Sequence, residues 1–324
     1  MINIDNFPPI MGFTLREFNS SDTHTLQQFE LACSSLDGKT NLTSLEDWEF
    51  LVNSEDLSTS SLLAINSPDQ IAFAGWFEVD ERAEEILAFL DGRVHPEYRG
   101  KGYGTNLLDW LESTALSRMS KVAQGRPCTY RIMYYDRAPD APKLFENKGY
   151  ELQYIEQEML RDLKVPWPES ELQDIRYTPW SAELKSAFYS VYRAAFRTRT
   201  DNLLSAESWH QHFANPESQD YQPNVSILAF KSDIPVAYAV IHSVGPARDR
   251  GSEIAWISQI GVHTEYQRQG IGTALLLEIM EQLSQAGYRF IKLSVNVNNP
   301  SAISLYENLG FQIINSFTMY QRSL

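Results

Sequence analysis

Apolar and polar positions along this chain fall into a succession of blocks that occurs twice. In the first copy the apolar segment Phe13–Phe18 reads as a strand and Thr23–Ser34 as an amphipathic helix. Leu62–Ile65 and Ile71–Phe77 form a hairpin around Ser67-Pro68-Asp69, and Ile86–Val94 is a further strand. The second copy repeats the order, with strand Ile175–Tyr177, helix Ala182–Arg197, a hairpin of Ser226–Phe230 and Val236–His242 around Ser232-Asp233, and strand Ile254–Val262. Each half continues with a long helix, a strand, a short helix and a last strand, Glu151–Leu160 in one and Gln312–Gln321 in the other. The order per half is β-α-α-β-β-β-α-β-α-β, which predicts an α/β (α+β mixed sheet) fold with helices on the sheet faces. Between the halves, Lys164–Ser170 carries two prolines that prevent regular structure. The expected division is therefore an N-terminal domain 1–163, a linker 164–170 and a C-terminal domain 171–324.

The repetition extends to individual residues. VHPEYRGKGYGTNLL (94–108) returns as VHTEYQRQGIGTALL (262–276), and Asn41–Trp48 is echoed by Asn202–Trp209, with Ser44 and Ser205 as the N-caps of a short helix. Each long phrase joins a strand, a glycine-rich loop and a helix start. The first N–H groups of a helix have no intrahelical partner and sit at the positive end of its dipole, so such a start attracts anions. Gly102, Gly104, Gly270 and Gly272 lack a Cβ and let a phosphate approach the main chain. A dinucleotide loop reads G-x-G-x-x-G with an acidic residue about 20 positions on. Here the loops read Arg99-x-x-Gly102-x-Gly104 and Gln267-x-x-Gly270-x-Gly272.

That [Q/R]-x-x-G-x-G pattern resembles the acyl-CoA-binding motif of the GNAT superfamily of N-acyltransferases. The resemblance covers nearly the whole chain as a tandem duplication of the GNAT fold. It implies that acetyl-CoA is the co-substrate and a primary amine the acceptor, with transfer inside a ternary complex. On this resemblance the cofactor-binding residues are Ile260, Gly261, Val262, Gln267, Arg268, Gln269, Gly270, Ile271, Gly272, Thr273 and Asn299, with Val94, Arg99, Gly100, Lys101, Gly102, Tyr103 and Gly104 in the first half. A main-chain N–H near Ile260–Val262 would meet the charge that develops on the acyl oxygen. Gly261 is expected to permit a bulge that splays its strand; its counterpart Arg93 would crowd the slot.

The final helices differ. Asn299-Pro300 and Tyr306 in the second half face Ala138-Pro139 and Phe145 in the first, and Pro142 stands where Ile303 does. In the family pattern this tyrosine protonates the departing thiolate. A phenol of pKa about 10 giving its proton to a thiolate of pKa about 8.5 works uphill by about 2 kcal/mol, a small penalty in a transition state. Phenylalanine has no proton to give, so the second half is expected to be the catalytic one and the first a degenerate relative.

The general base is harder to assign. An alkyl amine of pKa about 10.4 needs about 4.6 kcal/mol to be deprotonated at pH 7. The family often places a glutamate six positions before the strand's terminal valine, where this chain has Trp256. The nearest carboxylate, Glu253, is the catalytic candidate, acting through water; it equally fits a solvated strand start. His242 and Gln259 are further candidates. Two other readings stand beside the enzyme: an acyl-CoA-binding sensor or scaffold without catalysis, and a protein with both halves active on different acceptors.

Composition narrows the surroundings. The formal charge of −15, from 27 Lys and Arg against 42 Asp and Glu, opposes nucleic-acid binding, which relies on basic residues. Two cysteines, Cys33 and Cys128, stand without a metal-ligand spacing, so no metal is expected. No stretch reaches the roughly 18 apolar residues of a membrane span, and the N-terminus lacks a basic start before an apolar run. A cytoplasmic protein without membrane partners, monomeric or homodimeric, is expected.

Overall fold

The computed structural model describes residues 7–324 apart from 9, 38–41, 55–56, 58–59, 68–69, 83, 136–137, 139, 173, 198–202, 219 and 245–252. Pro68 and Asp69 of the first hairpin thus lie outside the described residues. The first repeat contains β1 (Thr14–Arg16), α1 (Thr23–Asp37), α2 (Leu45–Val52), β2 (Ser61–Ser67), β3 (Gln70–Glu81), β4 (Ile86–Val94), α3 (Tyr103–Val122), β5 (Cys128–Tyr135), α4 (Ala141–Asn147) and β6 (Glu151–Asp162). The second contains β7 (Ile175–Pro179), α5 (Lys185–Phe196), α6 (Ala206–Phe213), β8 (Ile227–Lys231), β9 (Ile234–Val244), β10 (Ile254–Val262), α7 (Ile271–Gln285), β11 (Phe290–Asn296), α8 (Pro300–Asn308) and β12 (Gln312–Ser323). The expected order of elements holds in both. Ser44 and Ser205 accept the N–H of Asp47 and Ser208 and so cap α2 and α6.

The chain folds into two compact units, one of residues Met1–Glu156 with Asn315–Leu324 and one of Gln157–Ile314. In the first the strands lie in the order β1-β2-β3-β4-β5-β12; in the second the order is β7-β8-β9-β10-β11-β6. The two six-strand sets are copies of one plan in which the last strand has been exchanged. Each repeat builds five strands of its own unit, and the other repeat supplies the sixth. The sequence repeats meet at 164–170, whereas the compact units are cut within the exchanged strands.

Period-two alternation assigns the faces of the second unit. Ala237, Ala239, Ile241, Ala255 and Ile257 face α7, where Leu275, Leu276, Ile279, Met280 and Leu283 are buried against them. Leu228, Tyr238 and Val240 face the other way, onto Phe188, Val191, Tyr192 and Trp209 of α5 and α6. The parallel pair β10–β11 runs from Ile254↔Phe290 to Ile257↔Leu293, although β10 continues to Val262. Beyond that point the strands part. The same happens in the first unit, where β4–β5 pairing ends at Leu90↔Ile132.

Candidate functional site

The parting of β10 and β11 opens a cavity of about 290 Å³ beside the start of α7. Ile260, Gly261 and Val262 of β10, Gln267, Arg268, Gly270, Gly272 and Thr273 of the loop and helix start, and Asn299 and Tyr306 of the last helix all line it. Nine of these residues were expected to hold the cofactor and Tyr306 to act on it; the fold brings them together. Gln269 instead donates to the Glu265 carbonyl at 3.1 Å and Ile271 is buried in the core. Phe196, which begins the segment Phe196–Trp209 that the family resemblance assigns to the acceptor pocket, is also on the lining, whereas sequence reasoning missed Ala195, Leu276, Ser301, Ala302 and Leu305. The last three share a helix face with Tyr306, a spacing that would have pointed to them.

The loop's conformation explains its composition. Gly270 caps α7 at φ 79°, in the left-handed region, and Gly102 does the same for α3 at φ 82°. Gln267 donates its side-chain amide to the Val262 carbonyl at 3.0 Å, which ties the loop to the strand it leaves. Arg268 also sits at positive φ, 59°, where the first repeat has Gly100 at 73°. An arginine held in that region costs about 1–2 kcal/mol, and this one lines the cavity.

Gly261 is required by close approach rather than by a bulge. It pairs regularly with Tyr238, and the register shift in β10 lies earlier, between Ile257 and Gln259. A Cβ at Gly261 would meet Tyr238 Cε1 at 2.8 Å and Ala195 Cβ at 2.9 Å. The bulge at Ser258 has its own effect, because one extra residue turns Gln259 and Gly261 toward the α5/α6 face. There Gln259 Oε1 accepts from Trp209 Nε1 at 2.6 Å and from Tyr238 Oη at 2.7 Å. Its amide has no basic lone pair, so it braces the wall and is no base.

Glu253 is not brought to the cavity. It is exposed at the start of β10, and its carbonyl accepts from Arg289 and Phe290. Seven residues at about 3.3 Å each separate it from Ile260, roughly 23 Å. Trp256 pairs across the strands with His242 instead. His242 Nδ1 lies 2.9 Å from Ser258 Oγ, and that hydroxyl donates to the Val240 carbonyl at 3.2 Å. The serine hydroxyl thus bridges the imidazole and the main chain of β9. Burial, with a smaller contribution from His212, pushes this imidazole down to about 4.

The first unit has a matching cavity of about 230 Å³, lined by Val94, Arg99, Gly100 and Gly104, with different contents. Lys101 folds back onto the Glu97 carbonyl at 3.0 Å, and Tyr103 stacks on Phe73. Arg99 forms a two-pronged ion pair with Asp37, at 2.7 and 2.8 Å, while its Nε donates to the Val94 carbonyl. Arg93 pairs with Ala74 in the sheet and reaches the buried Glu30 at 3.2 Å. Phe145 is buried against Tyr134, Tyr150 and Tyr320. Pro142 delays α4, which begins at Ala141, whereas α8 begins two positions earlier in the repeat, at Pro300.

A glycine loop on a helix start, beside strands that part, carries the same signature as the comparisons with known proteins. The acetyltransferase (GNAT) family matches residues 153–311, and a GNAT domain of the same kind matches 58–152. The chain belongs to the GNAT family. It is an acyltransferase with two tandem GNAT domains. Among relatives it is 27% identical to the mycothiol acetyltransferase of Nocardiopsis dassonvillei, over 70% of this chain and 72% of that one. The GCN5-related N-acetyltransferase of Sphaerobacter thermophilus superposes with a TM-score of 0.79 at 22% identity, covering 98% of this chain and 97% of its own. A tandem GNAT protein from the clavulanic acid biosynthesis pathway follows at 0.61 and 15% identity, covering 96% and 98%. Among the described residues of this GNAT protein, no cluster of His, Cys, Asp and Glu could hold a metal ion, and no helix is long and apolar enough to cross a membrane.

Proposed function

We propose that the second repeat transfers an acetyl group from acetyl-CoA to a primary amine within a ternary complex, and that the first repeat no longer does so. The observation that carries this reading is the placing of Tyr306, Asn299 and the Gln267–Gly272 loop around one cavity. The residues present suit the co-substrate. The loop and α7 offer main-chain N–H groups and the positive end of a helix dipole to its pyrophosphate, and Arg268 is the charged side chain on the lining. Beyond Ile257 the edge of β10 no longer pairs with β11, leaving main-chain groups of Ile260–Val262 for the acyl carbonyl.

When bound, acetyl-CoA supplies an activated thioester. The N–H groups of the strand stabilise the oxygen as the amine adds. The C–N bond forms, the C–S bond breaks, and Tyr306 gives its proton to the thiolate. The amine's own proton leaves by water on the α5/α6 face. His242 stands four residues along β9 from Tyr238, the partner of Gly261, so only a chain of water reaches its neutral imidazole, and Glu253 is more distant still. The acceptor is defined here only as a primary amine.

Titration calorimetry with acetyl-CoA tests the reading. One site per chain is the expected result. No binding at millimolar ligand would remove the acyl-CoA reading, and two sites would return the first repeat to consideration as a second working half.

A further inference from the structure

The exchanged strands end alike. Arg161 near the end of β6 and Arg322 near the end of β12 stand 161 residues apart, at equivalent places in the two repeats. Each donates to the carbonyl that ends the last helix of its unit: Arg161 Nη1 to Leu309, just past α8, and Arg322 Nη1 to Lys148, just past α4, at 2.7 Å. Orphan carbonyls at a helix C-terminus, on the negative end of the dipole, are natural partners for a guanidinium.

The partners then diverge. Arg322 pairs with Glu112 at 2.9 Å and packs over Tyr130 and Tyr150. Arg161 is 4% exposed, and its described hydrogen bonds all go to main-chain carbonyls: Leu309, Val165 at 3.0 Å and Pro166 at 3.1 Å. Its guanidinium also lies over the Trp167 ring, 5.7 Å from the centroid. Such a buried cation fixes what surrounds it, because any displacement of those carbonyls leaves it unsatisfied. The carbonyl it holds lies three residues after Tyr306, on the helix whose other residues Ser301, Ala302 and Leu305 line the cavity.

We infer that Arg161, encoded in the first repeat, is a positioning residue for the second repeat's active site: it clamps the C-terminus of α8 and thereby sets Tyr306 and Asn299 against the bound cofactor. The inference rests on the cavity being the acetyl-CoA site. It also gives the first repeat a role that needs no chemistry of its own, since the second repeat's working helix is held by a strand that only the first repeat encodes.

Two matched pairs of variants test it, read by acetyl-CoA titration well below each protein's melting temperature. Arg161→Met should weaken binding roughly five- to tenfold, while Arg322→Met should leave the affinity unchanged although it also loses stability. Should Arg161→Met fail to fold, Gly310→Ala and Gly149→Ala carry the test. Both glycines have φ near +80°, so the backbone strain is common to the pair. Only at Gly310 would the new Cβ fall on the Arg161 guanidinium; at Gly149 it would meet Arg322 Cδ at an ordinary 3.8 Å. Gly310→Ala should therefore lose affinity and Gly149→Ala should not. Wild-type affinity in Arg161→Met or Gly310→Ala, or an equal loss in the partner variants, would overturn the inference. A wild-type protein that binds no acetyl-CoA would remove the functional reading first and this inference with it.

Discussion

The two repeats solve one packing problem in opposite ways. Where the loop strand passes the cavity, the second repeat pairs a glycine with a tyrosine, Gly261 with Tyr238, and the first pairs an arginine with an alanine, Arg93 with Ala74. In the second, the large side chain comes from the neighbouring strand and stops at the wall, bonded to Gln259 and packed by Trp209. Tyr238, Ala195 and Phe196 close on Gly261 so tightly that no side chain fits there. In the first, the large side chain comes from the loop strand itself, and Glu30 must take up its charge, also accepting from the Trp48 indole at 3.2 Å. The charges follow the same division. The first cavity is lined by Asp37, Asp91 and Asp140 against Arg93 and Arg99, whereas Arg268 is the only ionised side chain on the second among the described residues. A polyanion is thus favoured in one and opposed in the other. The same backbone plan therefore carries two different charge patterns, set by side chains of the loop strand, the loop and the flanking helices.

The strongest way to break this contrast is to carry the first repeat's solution into the second. Gly261→Arg should abolish acetyl-CoA binding in calorimetry, and even Gly261→Ala should cost about 1–3 kcal/mol of stability or ligand affinity through the overpacking described above. Retained affinity in the arginine variant would mean that the slot lies elsewhere. Next in size is the reverse operation on the first repeat. Glu30→Ala removes the hydrogen-bonded partner of the half-buried Arg93 and leaves it Asp91 at 3.9 Å, so the melting temperature should drop by less than the roughly 3–5 kcal/mol of a fully broken buried pair implies, while acetyl-CoA affinity in the second repeat is kept. The last helices supply a third comparison. Tyr306→Phe should lower the rate of thiol release from acetyl-CoA in the presence of amine by about 10²-fold or more, with binding intact. Phe145→Tyr should alter neither quantity. An unchanged rate in Tyr306→Phe would take away the proposed acid.

Much of this contrast was legible in the chain before it was folded. The two glycine loops, the order of elements, Tyr306 facing Phe145 and Arg93 facing Gly261 all follow from aligning the repeats, because each depends on residues close in sequence or on a regular period. What escaped depends on contacts that no period encodes. The exchange of β6 and β12 leaves the order of elements untouched, so nothing in the alternation of apolar positions distinguishes a strand that returns to its own sheet from one that completes the other. The Arg99–Asp37 and Arg93–Glu30 pairs join residues 62 and 63 positions apart. The bulge was expected at Gly261 because glycine tolerates irregular backbone, yet it forms at Ser258, whose hydroxyl bonds both His242 and the Val240 carbonyl. Glu253 was reached by distance along the chain, and along an extended strand that distance is spent moving away from the site.

A smaller effect separates the two faces of the second unit, and it is set by pH. Burial, with Lys185 nearby, pushes His210 on α6 down to about 4, and burial does the same to His242 on β9. Both imidazoles have a folded pKa below their unfolded value of about 6.5, so protons bind preferentially to the unfolded chain between those limits. The stability that these two residues contribute by staying neutral is therefore complete above about pH 6.5 and is lost as the pH falls toward 4. Thermal melts between pH 7 and 4.5 should show a decline that is shallower in His210→Gln and in His242→Gln than in the parent. The first repeat has no histidine at the equivalent of either position, Glu49 standing for His210 in the repeat and Val79, the partner of Ala88, for His242 in the pairing order, so its unit should not share this limb. If His242 also receives the amine's proton, His242→Gln should in addition lower the rate of transfer above pH 6.5 without weakening acetyl-CoA binding. His210→Gln should flatten the melting curve alone, and equal kinetic effects of the two variants would assign the loss to packing of the α5/α6 face rather than to proton transfer.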